Sequence, residues 1–276
     1  MRKAFAHLPG ILILIACIVQ PGSIFAQKAP EQKVVSGTVL LKDKIAPDSK
    51  ALIAALKTTW KLKVDSVKIA DKTIVFNTTG GATVMVAYLE YPAAPDEIGA
   101  AARLSWLWKT ANEETSKHQA QVVISVLGST SRTLDLYKIF TQTAAAVLET
   151  THAPGIIIDG QYLLLSSGYY TAAARNMVQN QTIPLYCWVY FGRPGGGNGF
   201  TFGLSEFGLT EMEIVNASRS EVEVHSMLYD AAMAVVKNGT RLQEGQSVTT
   251  EDGAKIEAKL AKGTYLQDQK VLRLAY

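Results

Sequence analysis

The order of strand and helix patterns constrains the fold of this chain most strongly, because the two patterns do not alternate strictly. Apolar and β-branched runs predict strands in the first half at residues 34–42, 64–70, 73–77, 83–90 and 121–127. Gly80-Gly81 is typical of a hairpin turn, and helices are predicted after Pro47-Asp48 and from Asp96. A doubly wound parallel sheet needs regular alternation. We therefore expect an α+β fold, with a mixed, largely antiparallel sheet and helices packed on one face.

The second half continues this pattern with a long amphipathic segment at residues 133–151, which predicts a helix lying on a sheet. Ser218-x-x-Glu221 is typical of a capping box and predicts a helix that runs to Val236, with Val222 and His225 on its buried stripe. Between these two helices, a shorter one is predicted at residues 167–178. Strands are predicted at residues 155–158, 183–192, 200–204 and 211–215, followed by three short ones in residues 247–276.

The amino-terminal segment has the pattern of a bacterial export signal. Arg2 and Lys3 precede the apolar run from Ile11 to Val19, and Ala26 ends a small-residue approach to a cleavage site. Cleavage after Ala26 predicts a periplasmic or secreted protein. The alternative is a lipoprotein box ending at Cys17, which would tether the protein to a membrane through a lipid.

These patterns divide the chain into four parts. We expect an export signal at residues 1–26, a polar leader at 27–33, an amino-terminal α+β unit at 34–129 and a carboxy-terminal α+β unit at 130–276. The two units are expected to pack together as one compact body.

The charge balance and the sparse histidines exclude two classes of function. The chain carries 27 Lys and Arg against 24 Asp and Glu without a basic cluster, so we expect no nucleic-acid partner. His118, His152 and His225 lie far apart in sequence, so there is no local metal-ligand spacing and we expect no metal. No cofactor fingerprint is present, and no cofactor is expected. Cys187 lies in an apolar run and is expected to be a buried structural thiol.

The carboxy-terminal half resembles a known bacterial family. The run from Phe200 to Gly208 (FTFGLSEFG), followed by Glu211-Met212-Glu213-Ile214, resembles the signature of the family catalogued as domain of unknown function 4261. Val39-Leu40-Leu41, a helix ending in Trp60 and the run from His118 to Ser125 resemble its amino-terminal pattern. The resemblance covers most of Val34 to Leu274. The resemblance implies an α+β fold and a bacterial source, and it indicates no active-site residues. The export signal differs from the pattern that we expect for many members of the family.

His118 is the strongest catalytic candidate in the sequence. It enters a predicted strand shortly after Glu113 and Glu114, and an imidazole beside a carboxylate can act as a general base. The alternative is a histidine at a sheet margin that hydrogen-bonds to backbone groups.

Two groups of residues are candidates for ligand binding. Arg193 precedes Gly195, Gly196 and Gly197, whose backbone amides could curl round an anion, although a plain strand-to-strand connection is the alternative. Tyr169 and Tyr170 belong to a tyrosine-rich region, with Tyr162, Tyr186 and Tyr190, that could line a groove. Glu211 and Glu213 share one strand face, which we interpret as solvated.

The sequence therefore favours an exported, non-enzymatic binding or interaction module that binds a protein or a small-molecule ligand. Contact with a membrane is expected only if Cys17 is lipidated. The alternative is an envelope hydrolase or transferase that uses His118 as its general base.

Overall fold

The computed structural model of this chain describes residues 31–249, 253 and 255–276. The predicted export signal, its alternative at Cys17 and the start of the polar leader lie outside the described residues. Glu31–Tyr276 is one compact unit. In the described ranges, every helix is too short or too polar to span a bilayer.

An antiparallel sheet occupies the amino-terminal part of the unit. Its described strands are β1 (Gln32–Leu41), β2 (Val64–Ala70), β3 (Thr73–Thr78), β4 (Thr83–Leu89), β5 (Ala120–Ser129), β6 (Gly155–Ile158) and β7 (Leu163–Ser166). They lie in the order β2-β3-β4-β5-β1-β6-β7. The pairing of β1 with β5 runs in register from Gln32 opposite Ser129 to Leu41 opposite Ala120, and this pair forms the middle of the sheet.

Helices cover both faces of this sheet. The helices of this part are α1 (Ser49–Thr58), α2 (Pro95–Leu104), α3 (Ala111–Thr115), α4 (Thr133–Thr150) and α5 (Ser167–Asn180). Val39 and Leu41 pack in the same core as α1, α4 and α5. Leu40 points the other way, into a smaller core with Ile98 of α2 and Ala111 of α3. The predicted helical layer is therefore present, and two short helices add cover at one edge of the opposite face.

A second sheet follows after residue 189. Its described strands are β8 (Tyr190–Gly195), β9 (Asn198–Phe202), β10 (Met212–Ile214), β11 (Ser247–Thr249), β12 (Lys255–Lys262) and β13 (Lys270–Leu274). They lie in the order β11-β12-β13-β10-β9-β8, and β10 runs parallel to β13. Helix α6 (Glu221–Asn238) packs on β8, β9 and β10. The expected α+β class with largely antiparallel sheets is confirmed.

Two predicted elements differ in detail from the structure. The capping box of α6 is formed by Ser220 and Glu223, two residues later than predicted, and Val222 is 72% exposed because it lies in the first turn. The strand predicted from Ile183 begins only at Tyr190. Pro184 has no N–H to donate, and its carbonyl accepts from Cys187 N–H at 2.8 Å, so the chain forms a 3₁₀ turn there before it enters the sheet.

The interpretation of Glu211 and Glu213 as a solvated pair is wrong, because both side chains are buried. The Glu211 carboxylate accepts hydrogen bonds from the Thr201 hydroxyl and the Gly203 N–H, both at 2.8 Å. The Glu213 carboxylate accepts from backbone amides of the loop between β12 and β13. Both carboxylates therefore tie loops to the second sheet.

Candidate functional site

A cavity of about 710 Å³ lies between α4, α5, α6 and the segment that joins α5 to β8. This volume is within the range of about 300–1,000 Å³ that is typical of small-molecule sites. The lining residues are Leu134, Lys138, Tyr169, Ala173, Asn176, Asn180, Gln181, Thr182, Ile183, Pro184, Leu185, Tyr186, Cys187, Tyr229, Met233 and Lys237.

Helical spacing brings two stripes of these residues to the cavity. Tyr229, Met233 and Lys237 are four residues apart on α6 and therefore share one face. Tyr169 and Ala173 have the same spacing on α5, and the stripe continues to the carboxy-terminal end of that helix. The cavity therefore has two walls made from regular helices, which hold their side chains in fixed positions.

The segment between α5 and β8 forms the third wall. Helix α5 ends at Gln181, which adopts a left-handed conformation with φ of 56° and turns the chain across the helix ends. Leu185 and Cys187 are buried, and Trp188 behind them donates from Nε1 to the Thr141 hydroxyl of α4 at 2.8 Å. This wall is therefore anchored in the core.

In the part of the chain that the structure describes, the two charged side chains that line the cavity are cationic. Lys138 lies on α4 and Lys237 in the last turn of α6. Neither ammonium group forms an ion pair or a hydrogen bond with another residue in the part of the chain that the structure describes. Asp230 is not among the lining residues, and its charge contributes to the raised pKa values of Tyr186 and Tyr229.

The tyrosines of the cavity keep their phenolic protons. Burial, with smaller contributions from Tyr229 and Asp230, raises the pKa of Tyr186 to about 12. Burial also raises the pKa values of Tyr169 and Tyr229. These phenols are therefore neutral near pH 7 and can donate hydrogen bonds.

Tyr186 is held from behind by an aromatic and basic cluster. Its hydroxyl lies 2.8 Å from His225 Nε2, and the edge of Trp106 packs on both rings. The Arg193 guanidinium lies 5.1 Å from the Trp106 ring centroid. Burial, helped by the charge of Arg193, lowers the pKa of His225, so the imidazole is neutral and can accept the Tyr186 proton in a hydrogen bond.

Cys187 lies at the bottom of the cavity as a thiol. Its side chain is 1% exposed, and burial raises its pKa far above the usual value. Because the thiolate is the nucleophilic form, this residue is unsuited to attack on a ligand near pH 7. The prediction of a buried thiol is confirmed.

His118 and its acidic neighbours lie elsewhere, beside a cavity of about 180 Å³ near α2 and α3. His118 Nε2 accepts from Ala93 N–H at 2.9 Å, and Nδ1 lies 2.7 Å from the Thr115 carbonyl oxygen. Both ring nitrogens are thus bonded to backbone groups. The Glu114 carboxylate accepts from Trp108 Nε1 at 3.0 Å, and Glu113 is exposed on α3. In the described structure neither carboxylate hydrogen-bonds to His118.

The glycine-rich segment forms the hairpin turn between β8 and β9. Gly195, Gly196 and Gly197 have positive φ values, and the Asn198 amide donates to the carbonyls of Gly195 and Gly196. A Cβ on Gly195 would lie 3.4 Å from a carboxylate oxygen of Glu221. An acidic group at this distance opposes the predicted anion cradle, and the geometry favours the plain strand connection.

The other predicted ligand residues separate in the structure. Tyr169 lines the large cavity, whereas Tyr170 is fully buried in the core. Arg193 reaches the cavity only indirectly, through Trp106 and Tyr186.

Sequence reasoning did not identify Lys138, Tyr229 or Lys237 as site residues. Tyr229, Met233 and Lys237 follow one another at four-residue spacing beside the apolar stripe of α6. This spacing could have indicated a second helix face with both apolar and polar side chains. Among the residues that the structure describes, no group of three or more His, Cys, Asp or Glu side chains could hold a metal ion.

Comparisons with known proteins support the resemblance in the carboxy-terminal part. Searches of the curated proteins and of the solved structures found no match. The matched segment of the chain contains the end of β9, all of β10 to β13 and α6, so it includes the α6 wall of the cavity. Residues 200–275 match the model of the family described as Domain of unknown function (DUF4261), as the FTFGLSEFG run predicted.

Proposed function

We propose that this chain is an exported, non-enzymatic bacterial binding protein whose small-molecule ligand occupies the cavity between α4, α5 and α6. The observation that carries the proposal is the cavity itself, with its volume of about 710 Å³. Its most buried lining residues, Pro184, Leu185 and Cys187, form its floor, and Asn176, Asn180 and Lys237 in the lining are exposed. Such a lining can hold an apolar body and orient a polar group.

The chemistry of the lining favours binding over catalysis. The Cys187 thiol stays protonated, and His225, which is not among the lining residues, is hydrogen-bonded through Nε2 to the Tyr186 hydroxyl. The alternative of an envelope hydrolase with His118 as base requires a ring nitrogen that can take a proton from water or substrate. Both His118 nitrogens are bonded to backbone groups, which gives that alternative no support.

Binding in the cavity is tested by filling it. Ala173 lines the cavity on α5, and its neighbour Ala172 is exposed on the same helix, so Ala173→Trp and Ala172→Trp form a matched pair. The probes are anilinonaphthalene sulfonate and its uncharged parent phenylnaphthylamine, whose fluorescence rises in apolar surroundings.

We expect the purified chain to bind at least one probe at a single site. Ala173→Trp abolishes this binding, whereas Ala172→Trp retains it and circular dichroism shows that both variants are folded. Binding of neither probe, or unchanged binding by a folded Ala173→Trp variant, would contradict the proposed function.

Export is supported by the pattern of Arg2, Lys3 and the apolar run that follows. The intact mass of protein recovered from the periplasm is expected to match a chain that begins at Gln27. A mass that includes lipid on Cys17 would replace this proposal with the membrane-tethered alternative.

A further inference from the structure

We infer that the ligand is an amphipathic organic anion, with an apolar body on the cavity floor and one carboxylate, sulfonate or phosphate group between Lys138 and Lys237. The inference rests on the proposed function, because it names the class of ligand for the same cavity.

The first argument is charge. Among the described residues that line the cavity, the formal charges are two ammonium groups, Lys138 and Lys237, and none is an Asp or Glu. The two groups come from different helices, so they are not an i,i+4 pair on one solvated face. An anion that reached both would gain two charge-assisted hydrogen bonds in a partly enclosed site.

The second argument is the direction of polarity along α6. Asp230 precedes Lys237 by seven residues, which corresponds to about 10 Å along the helix axis. This separation is about one Debye length at physiological salt. The carboxylate therefore acts at the Tyr229 end, where it contributes to the raised pKa values of Tyr186 and Tyr229. The anionic group of the ligand belongs at the opposite end, near Lys237.

The third argument is the supply of neutral donors and apolar surface. The protonated phenols of Tyr169 and Tyr229 and the side-chain amides of Asn176 and Asn180 can donate hydrogen bonds to an anion. The lining also contains apolar side chains, namely Leu134, Ile183, Pro184, Leu185 and Met233. A fully polar ion such as free phosphate would leave these apolar side chains without a partner.

The test compares the two probes, because anilinonaphthalene sulfonate and phenylnaphthylamine share one aromatic body and differ by a sulfonate. We expect the double variant Lys138→Met, Lys237→Met to weaken sulfonate binding about tenfold and to change binding of the uncharged parent less than about twofold. Lys57→Met, an exposed change at the end of α1, is the matched control and should alter neither. Binding of the uncharged parent also shows that the double variant retains the cavity.

Competition identifies the head group. Displacement of the sulfonate probe by decanoate supports a carboxylate ligand, and displacement by decyl phosphate supports a phosphate ester. Equal displacement by uncharged decanol contradicts the inference. So does an equal change for both probes in the double lysine variant. If either result is obtained while Ala173→Trp still abolishes probe binding, the inference about the ligand is wrong and the proposed function is retained. If Ala173→Trp has no effect on probe binding, the proposed function itself is wrong.

Discussion

The carboxylate of Glu213 is expected to hold the second sheet together, and its replacement by glutamine tests this directly. The side chain is fully buried on β10. Oε1 accepts from the N–H groups of Thr264, Tyr265 and Leu266 at 3.0, 2.9 and 3.2 Å, and Oε2 accepts from Thr264 N–H at 2.8 Å. Oε2 also lies 3.6 Å from Arg273 Nη2. One carboxylate therefore fastens the loop between β12 and β13 to the neighbouring strand.

Glu213→Gln keeps the shape of the side chain and removes its charge. Hydrogen bonds to a charged group contribute about 1.5–3 kcal/mol each against about 0.5–1.5 for neutral ones, so the retained bonds weaken by about 1 kcal/mol apiece. The new NH₂ group would face two donors, the Thr264 N–H and Arg273, and a buried unsatisfied donor costs about 1–3 kcal/mol. The three weakened bonds and the unsatisfied donor together give an expected loss in the free energy of unfolding of about 4–6 kcal/mol.

Thermal unfolding measures this loss, and a domain of this size should lose about 2–4 °C in Tm per kcal/mol. We expect a decrease of about 8–24 °C for Glu213→Gln. Glu257→Gln is the control, because Glu257 lies on β12 with a half-exposed side chain paired to Lys259. It should change the free energy by less than about 1 kcal/mol. Amide exchange at residues 264–266 should be slow in the unaltered chain and faster in Glu213→Gln. If Tm and these exchange rates matched those of Glu257→Gln, the reasoning would be refuted.

Cys187 should react with a thiol reagent only when the protein unfolds, because its side chain is buried and protonated. Labelling of the thiol in increasing urea should follow the loss of the circular dichroism signal. Rapid labelling of the native protein would contradict this. The free energy of unfolding should fall as pH drops below about 6.5, because the pKa of His225 is lowered in the folded chain and the unfolded chain therefore takes up the proton first. Urea titrations at several pH values should show that the free energy of unfolding depends less steeply on pH in His225→Gln than in the unaltered chain. Equal pH dependence in the two would argue against a role for this imidazole. Ser220→Ala should lower the free energy of unfolding by about 1 kcal/mol, because it removes the capping box, whereas Ser218→Ala should change it little. If urea titrations showed the larger loss for Ser218→Ala, the helix would be capped by Ser218, as the sequence predicted.

The elements that the sequence predicts well are those with strong local periodicity. The helix predicted at residues 133–151 is α4, and the strand predicted at residues 155–158 is β6 with the same bounds. Gly80-Gly81 lies in the turn between β3 and β4 as predicted. In each case a single segment carries its own apolar pattern and its own boundary signals.

The elements that it predicts poorly depend on competing local signals. The apolar run from Ile183 favours a strand by composition, yet Pro184 and the buried side chains of Leu185 and Cys187 stabilise a 3₁₀ turn. For α6, Ser218 and Ser220 both precede a glutamate by three residues, and the two patterns are equivalent in sequence. Only the packing of Val224 and Leu228 on the second sheet determines which serine caps the helix.

Of the cavity lining, the sequence indicated only Tyr169 and Tyr186, because the walls come from segments that are distant in sequence. Lys138, Ala173 and Lys237 belong to three helices, and each alone has the pattern of an ordinary helix surface. The prediction for Glu213 was wrong for the same reason. The alternation of side chains along its strand indicates a solvent-exposed position, but a loop some fifty residues later in the chain covers it. In both cases the polar group gains its role from a partner that local patterns do not contain. Charge on a helix or strand is therefore informative about function only once the fold shows which charges lack a partner and which are already neutralised. By that criterion Lys138 and Lys237 are consistent with the proposed ligand site, whereas Glu211 and Glu213 serve the architecture of the second sheet.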